Sequence, residues 1–183
     1  QCELFHALDR AARDRAELMG GLFWQMLVGR VNEARLKVPG LVGERTRQLD
    51  GAHVAFLAGV NNPIGLKIGP TAPPDEIVAL CERLDPERTP GRLTLIPRMG
   101  AARVGDALPP LIHAVRDAGH PVVWACDPMH GNGIVTTNGV KTRNFDAIMS
   151  ELRTFVGVCR EQGTWPGGVH SEVTGTWTVT SDV

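Results

Sequence analysis

His130 and Glu172 each stand at the end of a short apolar run, and an imidazole with a carboxylate suits a borderline divalent cation such as manganese, cobalt or zinc. The ordinary structural use of such a histidine is a hydrogen bond to backbone, and two ligands do not complete a coordination shell. Cys126, four residues before His130, is the nearest further donor. In a strand that offset keeps both side chains on one face but about 13 Å apart, which fits a core thiol better than a third ligand. A second group is cationic: Arg45, Lys67 and Arg98 come from three successive run ends. Long cations gathered at one rim suit phosphate and carboxylate, with Arg able to grip either in a bidentate fork, whereas singly each is a solvated loop charge. Gly69-Pro70 and Gly100 beside them permit close approach of a ligand. Asp50, Asp127 and His170 carry less, since Asp127-Pro128 is first a turn former.

One arrangement recurs from residue 41 onward and would position these groups. An apolar run ends in a charged or imidazole side chain, a Gly or Pro turn follows, and then a helical pattern, which is the rhythm of βα units. Runs at 63–70, 93–100, 121–130 and 167–175 are predicted strands with their ends, and 41–45 is an earlier, weaker one. Helices are predicted over 73–84, 106–118 and 144–162, with a fourth over 47–58. Pro and acids open the first of these, Gly119 closes the second, and Asn144 and Gly163 are the expected caps of the third. That third helix sets Phe145, Ile148, Met149, Leu152, Phe155, Val156 and Cys159 on one stripe. Residues 1–40 differ in character: helical patterns over 3–19 and 22–37 flank Gly20-Gly21 and carry no evident chemistry.

Functional groups at the carboxyl ends of successive strands indicate an α/β fold of parallel strands, here an incomplete (β/α)8 TIM-type barrel over 41–183 preceded by a helical segment over 1–40. Only about five strand ends can be counted, and a closed barrel needs eight strands and ~250 residues. With 19 basic against 20 acidic residues the chain offers no general field for nucleic acid or an anionic membrane, so anion binding must come from local clusters. Cys2, Cys81, Cys126 and Cys159 are widely spaced without a CxxC pair, which points to reduced thiols in a cytoplasmic setting. The apolar stretch over 22–28, interrupted by Gln25, falls far short of the roughly 20 residues of a membrane span. Glu3, Asp9, Asp14 and Glu17 argue against a transit peptide near the Arg-rich start.

The words at the run ends are more specific than their spacing. Gly43-Glu-Arg-Thr-Arg-Gln-Leu-Asp-Gly-Ala-His53, Asn62-Pro-Ile-Gly-Leu-Lys-Ile-Gly-Pro70, Gly91-Arg-Leu-Thr-Leu-Ile-Pro-Arg-Met-Gly100, Val123-Trp-Ala-Cys-Asp-Pro-Met-His-Gly-Asn132, Lys141-Thr-Arg143 and Gly167-Gly-Val-His-Ser-Glu172 follow in order. Over residues 42–175 the chain resembles the type II, plant-like 3-deoxy-D-arabino-heptulosonate 7-phosphate (DAHP) synthases. That resemblance implies condensation of phosphoenolpyruvate with erythrose 4-phosphate, the entry to the shikimate pathway. It implies that Glu44, Arg45, Lys67 and Arg98 line the phosphoenolpyruvate pocket, that Lys67, Arg98 and His130 are catalytic, and that His130 and Glu172 bind a divalent metal, Mn2+ before Co2+ or Zn2+.

Parts of the family pattern have no counterpart here: a metal-binding Cys of an early strand, a metal-binding Asp of the last, and an Arg with a Lys-Pro-Arg segment. The sequence leaves the pattern before Leu41 and after Gly175, and Gly133 stands where Thr is usual. The expectation is a truncated gene product, a disrupted reading frame or a natural partial barrel, weakly active or inactive alone unless a second copy or a full-length synthase supplies the absent strands. Two alternatives stand beside it: a non-catalytic phosphoenolpyruvate-binding or synthase-docking protein, and a metal hydrolase using Cys126, His130 and Glu172.

Overall fold

The computed structural model describes residues 41–43 and 47–171. The expected helical segment over 1–40, the Glu44-Arg45 pair and Glu172 lie outside the described residues.

Five strands form one parallel sheet in the order β1 (Leu41–Val42), β2 (Ile64–Ile68), β3 (Leu93–Pro97), β4 (Val123–Cys126), β7 (Pro166–Val169). Helix α1 (Ala52–Ala58) connects β1 to β2, α2 (Pro74–Leu84) connects β2 to β3, and α3 (Val104–Asp117) connects β3 to β4. A two-stranded antiparallel hairpin, β5 (Gly133–Val135) and β6 (Lys141–Arg143), then leads into α4 (Phe145–Glu161) and β7. The fold is therefore α/β with a parallel sheet, as the βα rhythm predicts. Each helix packs on the next in chain order, so the four make one layer beside the sheet.

Side-chain alternation divides the sheet into two faces. Ile64, Leu66, Ile68, Leu93, Leu95, Trp124 and Cys126 enter the apolar core that they share with the helices. Lys67, Thr94 and Ile96 point from the other face, where Lys67 lies level with Ile96 and Gly65 with Thr94. The last pairing needs an adjustment. The β4–β7 register shifts between Trp124 and Ala125, and a Cβ on Gly167 would lie 2.5 Å from Val123 Cγ1 and 3.1 Å from the Trp124 carbonyl oxygen. Glycine there allows the bulge to seat against β4.

Local chemistry accounts for the helix ends. Pro74 occupies the first turn of α2 with Asp75 and Glu76, where the missing N–H costs nothing and acids meet the positive end of the helix. Asn144 caps α4, its Oδ1 accepting from the N–H groups of Asp146 at 2.7 Å and Ala147 at 3.2 Å. Gly119 and Gly163 adopt positive φ just beyond α3 and α4. Pro109 and Pro110 sit inside α3, which persists because Leu108, Leu111, Ile112 and Val115 are buried beside them.

Three details differ from expectation. The helix predicted over 47–58 begins only at Ala52, because residues 48–51 form a turn in which the Gly51 N–H donates to the Gln48 carbonyl. Phe145, placed on the buried stripe of α4, is 64% exposed, because the first turn of that helix follows the hairpin, where Ile134, Val135 and Val140 are also exposed. The hairpin has no counterpart among the expected elements, although its second strand is the word Lys141-Thr-Arg143. Among the described residues no helix is long and apolar enough to cross a membrane.

Candidate active site

The carboxyl ends of β2, β3 and β4 bring Lys67, Arg98, Asp127 and His130 to one rim. Backbone bonds carry the sheet past its last strand residues: the Arg98 N–H donates to the Ile68 carbonyl and the Asp127 N–H to the Pro97 carbonyl, each at 2.8 Å. The His170 N–H donates to the Cys126 carbonyl at 2.7 Å and so continues the row beyond β7.

Asp127 is the centre of the cluster. It is fully buried, and its carboxylate pairs with the Lys67 ammonium, whose residue is only 6% exposed. The same carboxylate accepts from the backbone N–H groups of Met129 at 3.0 Å and His130 at 3.2 Å, and from His130 Nδ1 at 2.8 Å. Burial alone would raise its pKa, but the hydrogen bond and charge of Lys67, with His130 behind them, outweigh that and hold the carboxyl below its ordinary value. Asp127 is therefore ionised at neutral pH. In the sequence it is a weak candidate, because Asp-Pro is a common turn pair.

The bond from His130 Nδ1 bears on what the imidazole can do. A carboxylate only accepts, so Nδ1 carries a proton, and in the neutral ring the lone pair lies on Nε2. That carboxylate-to-imidazole arrangement is the one that orients metal-binding histidines, so His130 fits a cation ligand. Glu172, the second ligand that the resemblance implies, is outside the described residues, and among those described no group of three or more His, Cys, Asp or Glu could hold a metal. Cys126 does not join His130. Its side chain lies in the core with the helices, and burial, with Glu151 and Asp127 adding their charge, raises its thiol pKa, so it stays a thiol.

Arg98 is partly buried and donates from Nη2 to the His130 carbonyl at 3.0 Å, which ties the end of β3 to the loop after β4. From the far side Arg143 of β6 donates from Nε to the Met129 carbonyl, so the hairpin braces the same loop. Gly133, at the start of β5, has nothing within 4 Å of a Cβ built on it, so the space a Thr would use is open. Below this rim Glu151 of α4 is fully buried and accepts from the Met99 N–H at 2.9 Å, the Gly100 N–H at 2.8 Å and Asn132 Nδ2 at 2.6 Å. Burial is the largest influence on its carboxyl and raises the pKa, with the three donors opposing and the Asp127 charge reinforcing. Glu151 and Asn132 were not read as site residues. The available signal was a carboxylate at position 151 between Ile148 and Phe155, on the face that otherwise reads as apolar.

Electrostatically the rim sets one cation, Lys67, and an imidazole on a buried carboxylate, with a second cation, Arg98, bonded to the carbonyl of His130. Such a place can receive an anion at Lys67 and Arg98 and a cation at His130.

Comparison with known proteins shows what the chain is similar to. The Class-II DAHP synthetase family matches residues 40–183. A phospho-2-dehydro-3-deoxyheptonate aldolase of Mycolicibacterium smegmatis is 56% identical over 134 residues, 73% of this chain and 29% of that protein. A probable enzyme of the same name from Pseudomonas fluorescens is 55% identical over 133 residues, covering 73% of this chain and 33% of that one. A probable chloroplastic one from Catharanthus roseus is 57% identical over 126 residues, or 69% of this chain and 26% of its own length. The chain thus spans about a quarter to a third of these relatives. On these matches, the chain belongs to the class-II DAHP synthetase family.

Proposed function

We propose that this chain carries the phosphoenolpyruvate side of a DAHP synthase active site, in an enzyme that condenses phosphoenolpyruvate with erythrose 4-phosphate to DAHP and phosphate. The reaction class is group transfer, at the first step of the shikimate pathway toward aromatic amino acids. The observation that carries the reading is the pairing of Lys67 and His130 with buried Asp127 at the carboxyl-terminal rim, with Arg98 held to the same loop through the His130 carbonyl. We further infer that the sheet is five strands of a (β/α)8 barrel. Strand order follows chain order and the helices form one layer, as in a singly wound barrel, whereas a doubly wound sheet reverses its order. The strands that complete it come from polypeptide outside the described residues, from a second copy or from a full-length synthase.

In this reading Lys67 and Arg98, joined by Arg45 and with Glu44 beside them, grip the phosphate and carboxylate of phosphoenolpyruvate. Two phosphorylated substrates repel each other, and paired cations in a site sheltered from water offset that repulsion and set the reacting carbons in line. Asp127 holds Lys67 in place until an anion arrives and fixes the His130 ring through Nδ1. His130 and Glu172 would hold a divalent cation, Mn2+ first and Co2+ or Zn2+ as alternatives, which when bound polarises the aldehyde oxygen of erythrose 4-phosphate. The enol carbon bonds to the aldehyde carbon, water adds at the resulting cationic centre, and phosphate leaves. Three buried free thiols, Cys81, Cys126 and Cys159, suit a cytoplasmic setting.

Calorimetric titration of phosphoenolpyruvate into the chain tests the reading. Lys67→Ala and Arg98→Ala should each weaken binding by about tenfold or more, since hydrogen bonds to charged groups are worth about 1.5–3 kcal/mol. Unchanged curves for both variants would remove the pocket. Phosphate release on mixing both substrates with Mn2+ reads the full reaction.

A further inference from the structure

The two loops at the rim are separate in the chain but joined in space. The loop after β3 begins at Arg98 and the loop after β4 carries His130. Their backbones touch where glycines meet: a Cβ on Gly131 would lie 2.3 Å from Gly100 N, and one on Gly100 would lie 2.8 Å from the Gly131 carbonyl oxygen. The Ala101 N–H donates to Asn132 Oδ1 at 3.0 Å across the same seam. Asn132 Nδ2 also donates to the Pro128 carbonyl at 2.8 Å, which folds its own loop back.

Glu151 enters this seam from below, on a different element. One of its oxygens, Oε1, takes the Met99 and Gly100 N–H groups of the first loop, while Oε2 takes the Asn132 side-chain amide of the second. Both oxygens face donors, so only an acceptor on each side satisfies the arrangement. A glutamine would set an NH2 against a donor, and an apolar residue would leave two buried N–H groups without a partner. A charge at a fully buried helix position is costly, and packing alone would have been served by leucine.

We propose that Glu151 is a positioning residue: its carboxylate sets the loop of Arg98 and the loop of His130 at one fixed separation, so that the guanidinium and the imidazole address the same ligand. This rests on the reading above that Arg98 and His130 serve one site. Helix α4, which carries no group at the rim itself, thereby governs the distance between an anion-binding and a cation-binding side chain.

The test uses the full chain with Glu151→Gln and Asn132→Ala. Four quantities are followed: phosphoenolpyruvate affinity, the imidazole NMR signals of His130 (assigned by comparison with His130→Gln), amide exchange at Met99 and Gly100, and the denaturation midpoint. Glu151→Gln should weaken phosphoenolpyruvate binding by about tenfold, equivalent to about 1.4 kcal/mol, displace the His130 signals and speed exchange at both amides. Asn132→Ala should act in the same direction on all three, because it removes the second loop's grip on the carboxylate. Affinity within about twofold of the parent and unmoved His130 signals, with only the denaturation midpoint lowered, would reduce Glu151 to a fold-stabilising group and overturn the proposal. Should Glu151→Gln fail to fold, Glu151→Asp, which keeps the carboxylate and the Ala101 link to Asn132 but shortens the reach between the loops, decides on the same readouts. Should the parent chain not bind phosphoenolpyruvate, the functional reading falls, and the His130 signals with the amide exchange still decide whether Glu151 couples the loops.

Discussion

Replacing Asp127 by Asn probes the centre of the site without changing its shape. The backbone bonds from Met129 and His130 go to Oδ1, which asparagine retains. The loss falls on Oδ2, where Lys67 and His130 Nδ1 converge, and where asparagine would present an NH2 to an ammonium and a ring N–H. Lys67 is 6% exposed, so the variant leaves a buried cation without its counter-charge. Removing one member of a buried pair costs about 3–5 kcal/mol, a large share of the roughly 5–15 kcal/mol that holds an ordinary domain together. Urea unfolding at neutral pH, followed by the fluorescence of buried Trp124, measures it. Lys67→Met combined with Asp127→Asn removes both charges, and the double variant should be less destabilised than the sum of the singles by about 2 kcal/mol. A single-variant loss below about 1 kcal/mol, or additivity within about 0.5 kcal/mol, would refute the buried pair as the anchor of the rim.

The same carboxylate predicts a pH dependence. Its folded pKa is depressed, so its stabilisation is present above the unfolded value near 3.9 and is lost as pH falls through the lower folded value. Glu151 runs the other way: its pKa is raised, so its contribution is greatest below the ordinary glutamate value and declines as pH rises through the folded one. Urea midpoints across pH should therefore fall on the acid side in the parent chain and lose that acid limb in Asp127→Asn; an identical limb in both would contradict the assignment. Burial pushes the Cys81 and Cys159 thiols up to about 12 and raises Cys126 as well. Alkylation mapped by mass spectrometry at about pH 8 should spare these three until the protein unfolds, and rapid native labelling of Cys126 would show that it is not a core thiol.

Much of this arrangement is legible in the residues because it rests on local rules. Strands β2, β3 and β4 follow from apolar runs, and α2 and α4 from their Pro and Asn starts, so the positions of Lys67, Arg98 and His130 at strand ends follow too. What escapes depends on contacts between distant segments. Asp-Pro reads as a turn until Lys67, sixty residues earlier, is known to face it. A single carboxylate on the stripe of α4 reads as tolerated until the N–H groups of Met99 and Gly100 are found against it. The hairpin eluded the pattern because Gly-Ile-Val and Lys-Thr-Arg are too short for alternation to show. The helix over 47–58 was drawn too long because Gln48, Leu49 and Asp50 carry no strong breaker, while Gly51 supplies the turn.

Chain order and spatial order coincide throughout the sheet, and that has a consequence for how the molecule tolerates loss. Among the described residues each interior strand pairs with the neighbours its own connections deliver, and the main helix contacts are with the helix before and after. Removing a unit from either end therefore opens one strand seam and one helix seam and leaves every other seam as it was. In a sheet whose order doubles back, the same cut would tear through the middle. Loss of an outer unit thus spares the pairing of β2 with β3 and of β3 with β4, on which the rim stands.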